Sequence, residues 1–192
     1  MLKKRLSLCK ITFSAAVIAA VTLVLAPALS AQGEEQVVGA KGLISRDAVR
    51  PGETFKVAVV LKVQAGWHIN DNAPLDEFMI PTALVLAENP DFEVVEIFYP
   101  KGRRARFAYS EAELVVYEGE TVLGALVKAK AGLAAGPRAL KCALSYQACN
   151  DESCLPPKEI SFEIAVPVAV SGAGTDVHPE IFGKLRFQAL QK

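Results

Sequence analysis

From residue 36 onward, apolar and polar positions recur mostly with the two-residue period of a β-strand rather than the longer period of a helix. Phe55-Lys56-Val57-Ala58-Val59-Val60-Leu61-Lys62-Val63 is rich in β-branched residues, and Phe92 to Tyr99, Glu113 to Tyr117, Thr121 to Ala129, Arg138 to Tyr146 and Glu159 to Val170 read alike. The alternation is plainest in Ser161-Phe162-Glu163-Ile164-Ala165-Val166. Turn formers separate these runs: Pro51-Gly52, Asn89-Pro90, Glu118-Gly119 and Ala135-Gly136-Pro137. About seven or eight short strands at this spacing predict an all-β, antiparallel β-sandwich. One helical stripe, His178 to Ala189, stands near the end, and Ser171-Gly172-Ala173-Gly174 reads as a flexible hinge into it. No internal repeat is visible.

The first 31 residues differ. Lys3-Lys4-Arg5 is followed by an uncharged apolar run, Ile11 to Leu25, and then by Pro27, Ala28, Ser30 and Ala31 before the polar Gln32-Gly33-Glu34-Glu35. This order is that of a secretory signal peptide, cleaved after Ser30 or Ala31; the rival reading is an uncleaved membrane anchor. Cys9 precedes the apolar run and leaves with the peptide. The expected organisation is a signal peptide over 1–31, a β-sandwich over 32–170, and a linker with a short tail over 171–192.

Charge then narrows the partners. Lys3, Lys4, Arg5 and Lys10 are the only charged residues among the first 31, so the remainder carries 17 basic and 21 acidic residues. A net charge of −4 argues against nucleic acid. Lys101-Gly102-Arg103-Arg104-Ala105-Arg106 is a local basic cluster in an expected loop, read either as a solvated loop or as a docking patch for an acidic partner. With two His, and no Gly-x-Ser-x-Gly or His-Glu-x-x-His pattern, neither a catalytic triad nor a zinc hydrolase is indicated.

Export makes the cysteines informative, because disulfides persist outside the cytoplasm. Cys142 alternates with Leu140, Leu144 and Tyr146 onto one face of a strand, so it is expected to be a buried, inert thiol. Cys149 and Cys154 lie beyond that face in Tyr146-Gln147-Ala148-Cys149-Asn150-Asp151-Glu152-Ser153-Cys154-Leu155-Pro156-Pro157. Four polar turn formers between them can bring the two within disulfide reach. Such a bridge closes a short loop worth roughly 2 kcal/mol, which a domain of this length does not need for folding. Spacing alone leaves a redox pair, a local staple or a metal site open. Pro156-Pro157 excludes a helix after Cys154, so no helix dipole activates a thiol here. Asp151 and Glu152 raise the thiol pKa if they act at all. The pair is therefore expected to react when a partner supplies the activation.

The element Tyr-Gln-Ala-Cys149-Asn-Asp151 with Cys154-Leu-Pro-Pro resembles the N-terminal domain of the thiol:disulfide interchange protein DsbD. Gly66-Trp67-His68-Ile69-Asn70, Pro81-Thr82, Tyr99-Pro100 and Tyr117-Glu118-Gly119 follow the family's order, and the likeness covers roughly residues 36–170. The resemblance implies an immunoglobulin-like sandwich with the cysteine pair at one edge and thiol–disulfide exchange in the periplasm, as a protein-disulfide reductase component. It implies Cys154 as the attacking thiol and Cys149 as the resolving one. Tyr146, Gln147 and Asp151 surround them. It also implies a cap loop whose Phe shields the oxidised pair: Phe107 by order along the chain, with Phe78 of Asp76-Glu77-Phe78 ranked second. Trp67 and His68 are expected beside the cysteines, where a protonated His68 would favour thiolate.

The implied partners are a membrane-embedded, DsbD-like thiol reductant and periplasmic thioredoxin-fold or cytochrome-maturation proteins. No cofactor and no resident metal are implied, and a monomer is expected. Segments matching the membrane and thioredoxin-like domains of DsbD are not seen in this sequence, so the expectation is that either a separate membrane protein feeds the domain or the domain has another use. Two other readings remain: a binding module whose disulfide is a passive staple, and a soft-metal site built from Cys149, Cys154 and His68 or Met79.

Overall fold

A computed structural model describes residues 36–190, apart from Glu77 and Ala173. The expected signal peptide and Cys9 lie outside the described residues. The described chain is all-β and antiparallel in every strand pairing, with eleven strands in three sheets. The first sheet is β1 (Val38–Ile44), β2 (Thr54–Val63), β8 (Glu120–Ala129) and β5 (Phe92–Phe98), in that order. The second is β10 (Ala148–Cys149), β3 (His68–Asn70), β7 (Leu114–Tyr117) and β6 (Arg103–Ala105). The third is β11 (Lys158–Val168), β9 (Gly136–Tyr146) and β4 (Ala83–Leu86).

The six strands read from the sequence are β2, β5, β7, β8, β9 and β11. The other five are β1, β3, β4, β6 and β10, four of them only two to four residues long. A two- or three-residue strand, as in β3, β6 and β10, holds at most two positions per face, too few to display a period, whereas the four-residue β7 shows itself by composition, with Val115, Val116 and Tyr117 all strand formers.

Phe55, Val57, Val59, Leu61 and Val63 of β2 alternate onto one face. There they pack with Ala125 and Val127 of β8 and with Leu140, Cys142, Leu144 and Tyr146 of β9. Ala58 and Val60 point the other way, yet they are buried too. The chain after β11 covers them: Phe182, Leu185 and Phe187 pack on Ala58, Val60, Val122 and Leu126. Burial on both faces is why β2 and β8 read as near-continuous apolar runs. Gly124 permits the close approach, since a Cβ there would lie 2.8 Å from Leu185 Cδ1 and 3.1 Å from Phe187 Cζ.

The helical stripe expected over His178–Ala189 is corrected. Only Pro179–Phe182 is α-helical, with a single 3-10 turn at Gln188–Leu190. Between them Leu185 and Phe187 are buried and Arg186 is exposed, a strand-like alternation that seats both side chains on the sheet. The start of this tail is tied down as well. Asp47 N–H donates to Thr175 O, Thr175 N–H donates to Asp47 Oδ1, and Arg46 donates to Asp176.

The basic cluster is likewise not an open loop. Arg103–Ala105 forms β6, paired with β7, and Arg103 and Arg104 form ion pairs with Glu118 and Glu113. Arg103 and Arg104 pair in register with Val116 and Val115, and each reaches a glutamate two residues along, so both arginines have an acidic partner within the domain.

Candidate functional site: a cross-strand row of His68, Cys149 and Cys154

The site begins with a turn. Gln64 to Trp67 closes with Trp67 N–H donating to Gln64 O at 3.0 Å, and Gly66 takes φ +82°, a conformation that suits glycine. The turn launches the short strand β3, whose position is fixed by residues that the sequence offered only as motif fragments. Asn70 Nδ2 donates to Ile80 O at 2.9 Å, and Thr82 Oγ1 donates to Asn70 O at 2.6 Å. Tyr99 Oη accepts from Leu84 N–H at 2.8 Å, while Tyr117 Oη lies 3.0 Å from both Asn72 Oδ1 and Pro100 O. Burial pushes the Tyr117 hydroxyl well above its ordinary pKa, so it stays a donor. These bonds tie the end of β3 and the neighbouring β7 to the segments around Ile80, Thr82 and Pro100.

Within that sheet, Ile69 pairs with Ala148 and with Tyr117, and all three point into the main core. Neighbouring residues in a strand face opposite ways. His68 and Cys149, which pair directly, therefore share the other face. Cys154 bridges back to Cys149 in antiparallel fashion, so His68, Cys149 and Cys154 form one row across three adjacent backbone segments.

Cys149 and Cys154 are joined by a disulfide, with Cα atoms 4.0 Å apart. Asn150 shapes the loop between them. Its Oδ1 accepts from the N–H groups of Glu152 and Ser153 at 2.9 and 2.8 Å, and its own N–H donates to Ser153 O at 2.9 Å. Below the bridge, Leu155 N–H donates to Ala148 O and Gln147 Nε2 donates to Leu155 O. Gln147 thus clamps the returning strand. The two sulfur-bearing residues differ sharply in exposure: Cys149 is 1% exposed, whereas Cys154 belongs to the exposed residues.

A loop after β6 covers the His68 end of the row. The Phe107 ring stacks on His68 with centroids 3.9 Å apart and an interplanar angle of 16°. Tyr109 stacks on Phe107 at 5.6 Å, and its Oη lies 2.6 Å from His68 Nε2. His68 is consequently 2% exposed. Burial lowers its pKa below the ordinary histidine value. The carboxylates of Glu118 and Asp151 oppose this, and Arg103 adds to it. A charged His68 beside the pair, the arrangement considered from sequence, is thus disfavoured by the cover over it. Burial, with Asp151, raises the Tyr109 pKa.

The remaining sequence candidates fall in three places. Tyr146 is buried at the end of β9, and Trp67 is half-buried against the same core cluster. Asp151 is exposed at the tip of the cysteine loop. Phe78 is 86% exposed in an Asx turn, its N–H donating to Asp76 Oδ1, and among the described residues no ring contact joins it to the cysteine row. Tyr109 was not singled out by sequence reasoning. Its only signal was the spacing Phe107-x-Tyr109, two aromatic rings close together in a segment that the structure folds into a turn closed by Ser110 N–H to Phe107 O. Cys142 sits in the core, 3% exposed, with its thiol pushed up to about 11 by burial. Among the described residues, no group of three or more His, Cys, Asp or Glu is placed to hold a metal ion.

The family model for the N-terminal domain of the thiol:disulfide interchange protein DsbD matches residues 39–165, a span containing every strand that builds this row. The chain belongs to the DsbD N-terminal domain family. A comparison with curated protein sequences finds no match. Among solved structures, the N-terminal periplasmic domain of ScsB from Proteus mirabilis is similar at 11% identity and a TM-score of 0.46, over 70% of this chain and 48% of that one. This chain thus spans about half the length of the ScsB chain it matches. The reduced form of the Neisseria meningitidis DsbD N-terminal domain is similar at 18% identity and a TM-score of 0.39, over 69% and 88% of the two chains. The yeast GGA1 GAE domain is similar at 11% identity and a TM-score of 0.41, over 71% and 96%. Membership in the DsbD N-terminal family gives the Cys149–Cys154 pair its context: a bridge capable of disulfide exchange in a redox relay domain.

Proposed function

We propose that this chain is an exported thiol–disulfide carrier of the periplasm, built as an immunoglobulin-like sandwich, with Cys154 exchanging and Cys149 resolving. The observation that carries the reading is the asymmetry of the bridge, with Cys154 exposed and Cys149 buried. Exchange needs one sulfur that a partner can reach and a second that stays close but protected. Packing of the first sheet against β9 and β11 supports the sandwich.

In the reduced domain, the Cys154 thiolate attacks one sulfur of a partner disulfide. A Cys154–partner bond forms, and the partner's other sulfur leaves and takes a proton. Cys149 then attacks Cys154 Sγ. The intramolecular bridge re-forms and the second partner sulfur is released. Two electrons and two protons pass to the partner, and no cofactor takes part. The same steps in reverse recharge the domain from a membrane-embedded thiol reductant. The recipients in this reading are periplasmic thioredoxin-fold or cytochrome-maturation proteins, and Phe107 is the cap residue.

Trapping tests the assignment. Reduced Cys149→Ala protein, mixed with an oxidised thioredoxin-fold domain, should accumulate a mixed disulfide through Cys154, and Cys154→Ala protein should not. Adducts from neither variant, or equally from both, would contradict it.

A further inference from the structure

Something must remove the proton from Cys149 before it can resolve a mixed disulfide. The attacking species is the thiolate, and an unperturbed thiol has a pKa near roughly 8.5. Cys149 is almost fully buried, which disfavours the thiolate further. Exposed Cys154 can lose its proton to water, but Cys149 needs a group inside the site.

His68 is that group by position. It is the direct cross-strand partner of Cys149, and side chains paired in this way have Cβ atoms roughly 4.5–5.5 Å apart on one face. It is buried under the Phe107 ring, and its Nε2 is held by Tyr109 Oη at 2.6 Å. We propose that His68, oriented by Tyr109, is the proton acceptor that activates Cys149 in the resolving step. The inference rests on the carrier reading and deepens it.

The 2.6 Å contact serves either tautomer, and the proposed step uses the one in which Nε2–H donates to Tyr109 Oη, leaving the lone pair on Nδ1 to accept. The proton passes from Cys149 Sγ to Nδ1, giving thiolate and imidazolium. The thiolate attacks Cys154 Sγ, forming the Cys149–Cys154 bond and breaking the Cys154–partner bond. The departing sulfur is protonated by the imidazolium or by water, and His68 returns to neutral. When the domain is recharged, the imidazolium hands its proton back to Cys149 as that sulfur leaves. The charged and titratable groups facing His68 are Glu118 next to β7, Asp151 of the cysteine loop, Arg103 of β6 and Tyr109 of the cover. Burial outweighs the two carboxylates and keeps the imidazole neutral, as an acceptor must be.

Ellman's reagent separates the two chemical steps on the exported form, from which Cys9 has been removed with the expected signal peptide. Reduced protein should release one thionitrobenzoate when Cys154 attacks and a second when Cys149 resolves, while buried Cys142 stays silent. In His68→Gln protein the first phase should be unchanged, and the second should slow about 100-fold at neutral pH, the usual scale of general-base assistance. The two proteins should converge as the pH rises into the range where the Cys149 thiol ionises unaided, which burial places above the ordinary thiol range. Tyr109→Phe keeps the ring on Phe107 and removes only Oη. It should slow the second phase about tenfold, with the same convergence. It also serves where His68→Gln protein does not fold.

A second phase that keeps its wild-type rate in either folded variant, or slows equally at every pH, overturns the role of His68 and leaves the carrier reading standing. A wild-type protein that releases a single equivalent overturns both.

Discussion

Asn150→Ala tests whether the loop between the cysteines holds the disulfide specifically. The substitution removes two hydrogen bonds, from Glu152 N–H and Ser153 N–H to Asn150 Oδ1, and leaves the Asn150 N–H to Ser153 O bond available. Each is worth about 0.5–1.5 kcal/mol net, so the closed loop loses about 1–3 kcal/mol, nearer the lower figure because Glu152 and Ser153 are exposed to water. If these bonds form only when the bridge closes the loop, the whole loss falls on the oxidised state. A destabilised disulfide is easier to reduce, so the potential becomes less negative. With about 30 mV per 1.4 kcal/mol for a two-electron couple, the shift is about 20–60 mV. Wild-type and Asn150→Ala proteins would be equilibrated in graded thiol buffers and their free thiols counted by gel shift. A shift under roughly 5 mV, or one in the opposite direction, would refute the reasoning and place the Asn150 turn equally in both redox states.

Phe187→Ala should cost about 3–5 kcal/mol in urea unfolding, because the ring is fully buried and packs edge-on against Phe98; an unchanged midpoint would mean that the tail does not stay docked. Alkylation of the reduced native protein should label Cys154 first and Cys142 only on unfolding, read by mass spectrometry; rapid labelling of Cys142 would contradict its place in the core. The lowered pKa of His68 has a definite sign in stability. The unfolded chain binds the proton first as pH falls, so the contribution is full above about pH 6.5 and is lost below it, toward the folded-state pKa. The melting temperature of the wild type should therefore drop more steeply from pH 7 to pH 5 than that of His68→Gln, and parallel curves would count against a buried neutral imidazole.

The long strands were legible because each has enough residues to show alternation, as at Leu140, Cys142, Leu144 and Tyr146. The buried position of Cys142 followed from that alternation. The short second sheet was not legible. β3, β6 and β10 are two or three residues long, and they are held by side-chain bonds from Asn70, Thr82, Tyr99 and Tyr117 rather than by any periodic pattern. The cysteine pair could be found from spacing and neighbours, since both lie within one hairpin. Tyr109 could not, because its meeting with His68 spans forty-one residues and depends on the pairing of β3 and β6 with the β7 that lies between them. The tail was misread as helical because apolar spacing around Phe182 and Leu185 fits a helix, while the sheet face beneath selects an extended path for Leu185 and Phe187.

The equilibrium reduction potential of the wild-type Cys149–Cys154 pair tests the central claim most directly. A carrier must give and take electrons within the range of its partners. The account predicts a value between about −270 and −120 mV, the span from thioredoxin to the strong periplasmic oxidants. A value well below roughly −300 mV would mark a structural disulfide and contradict the account.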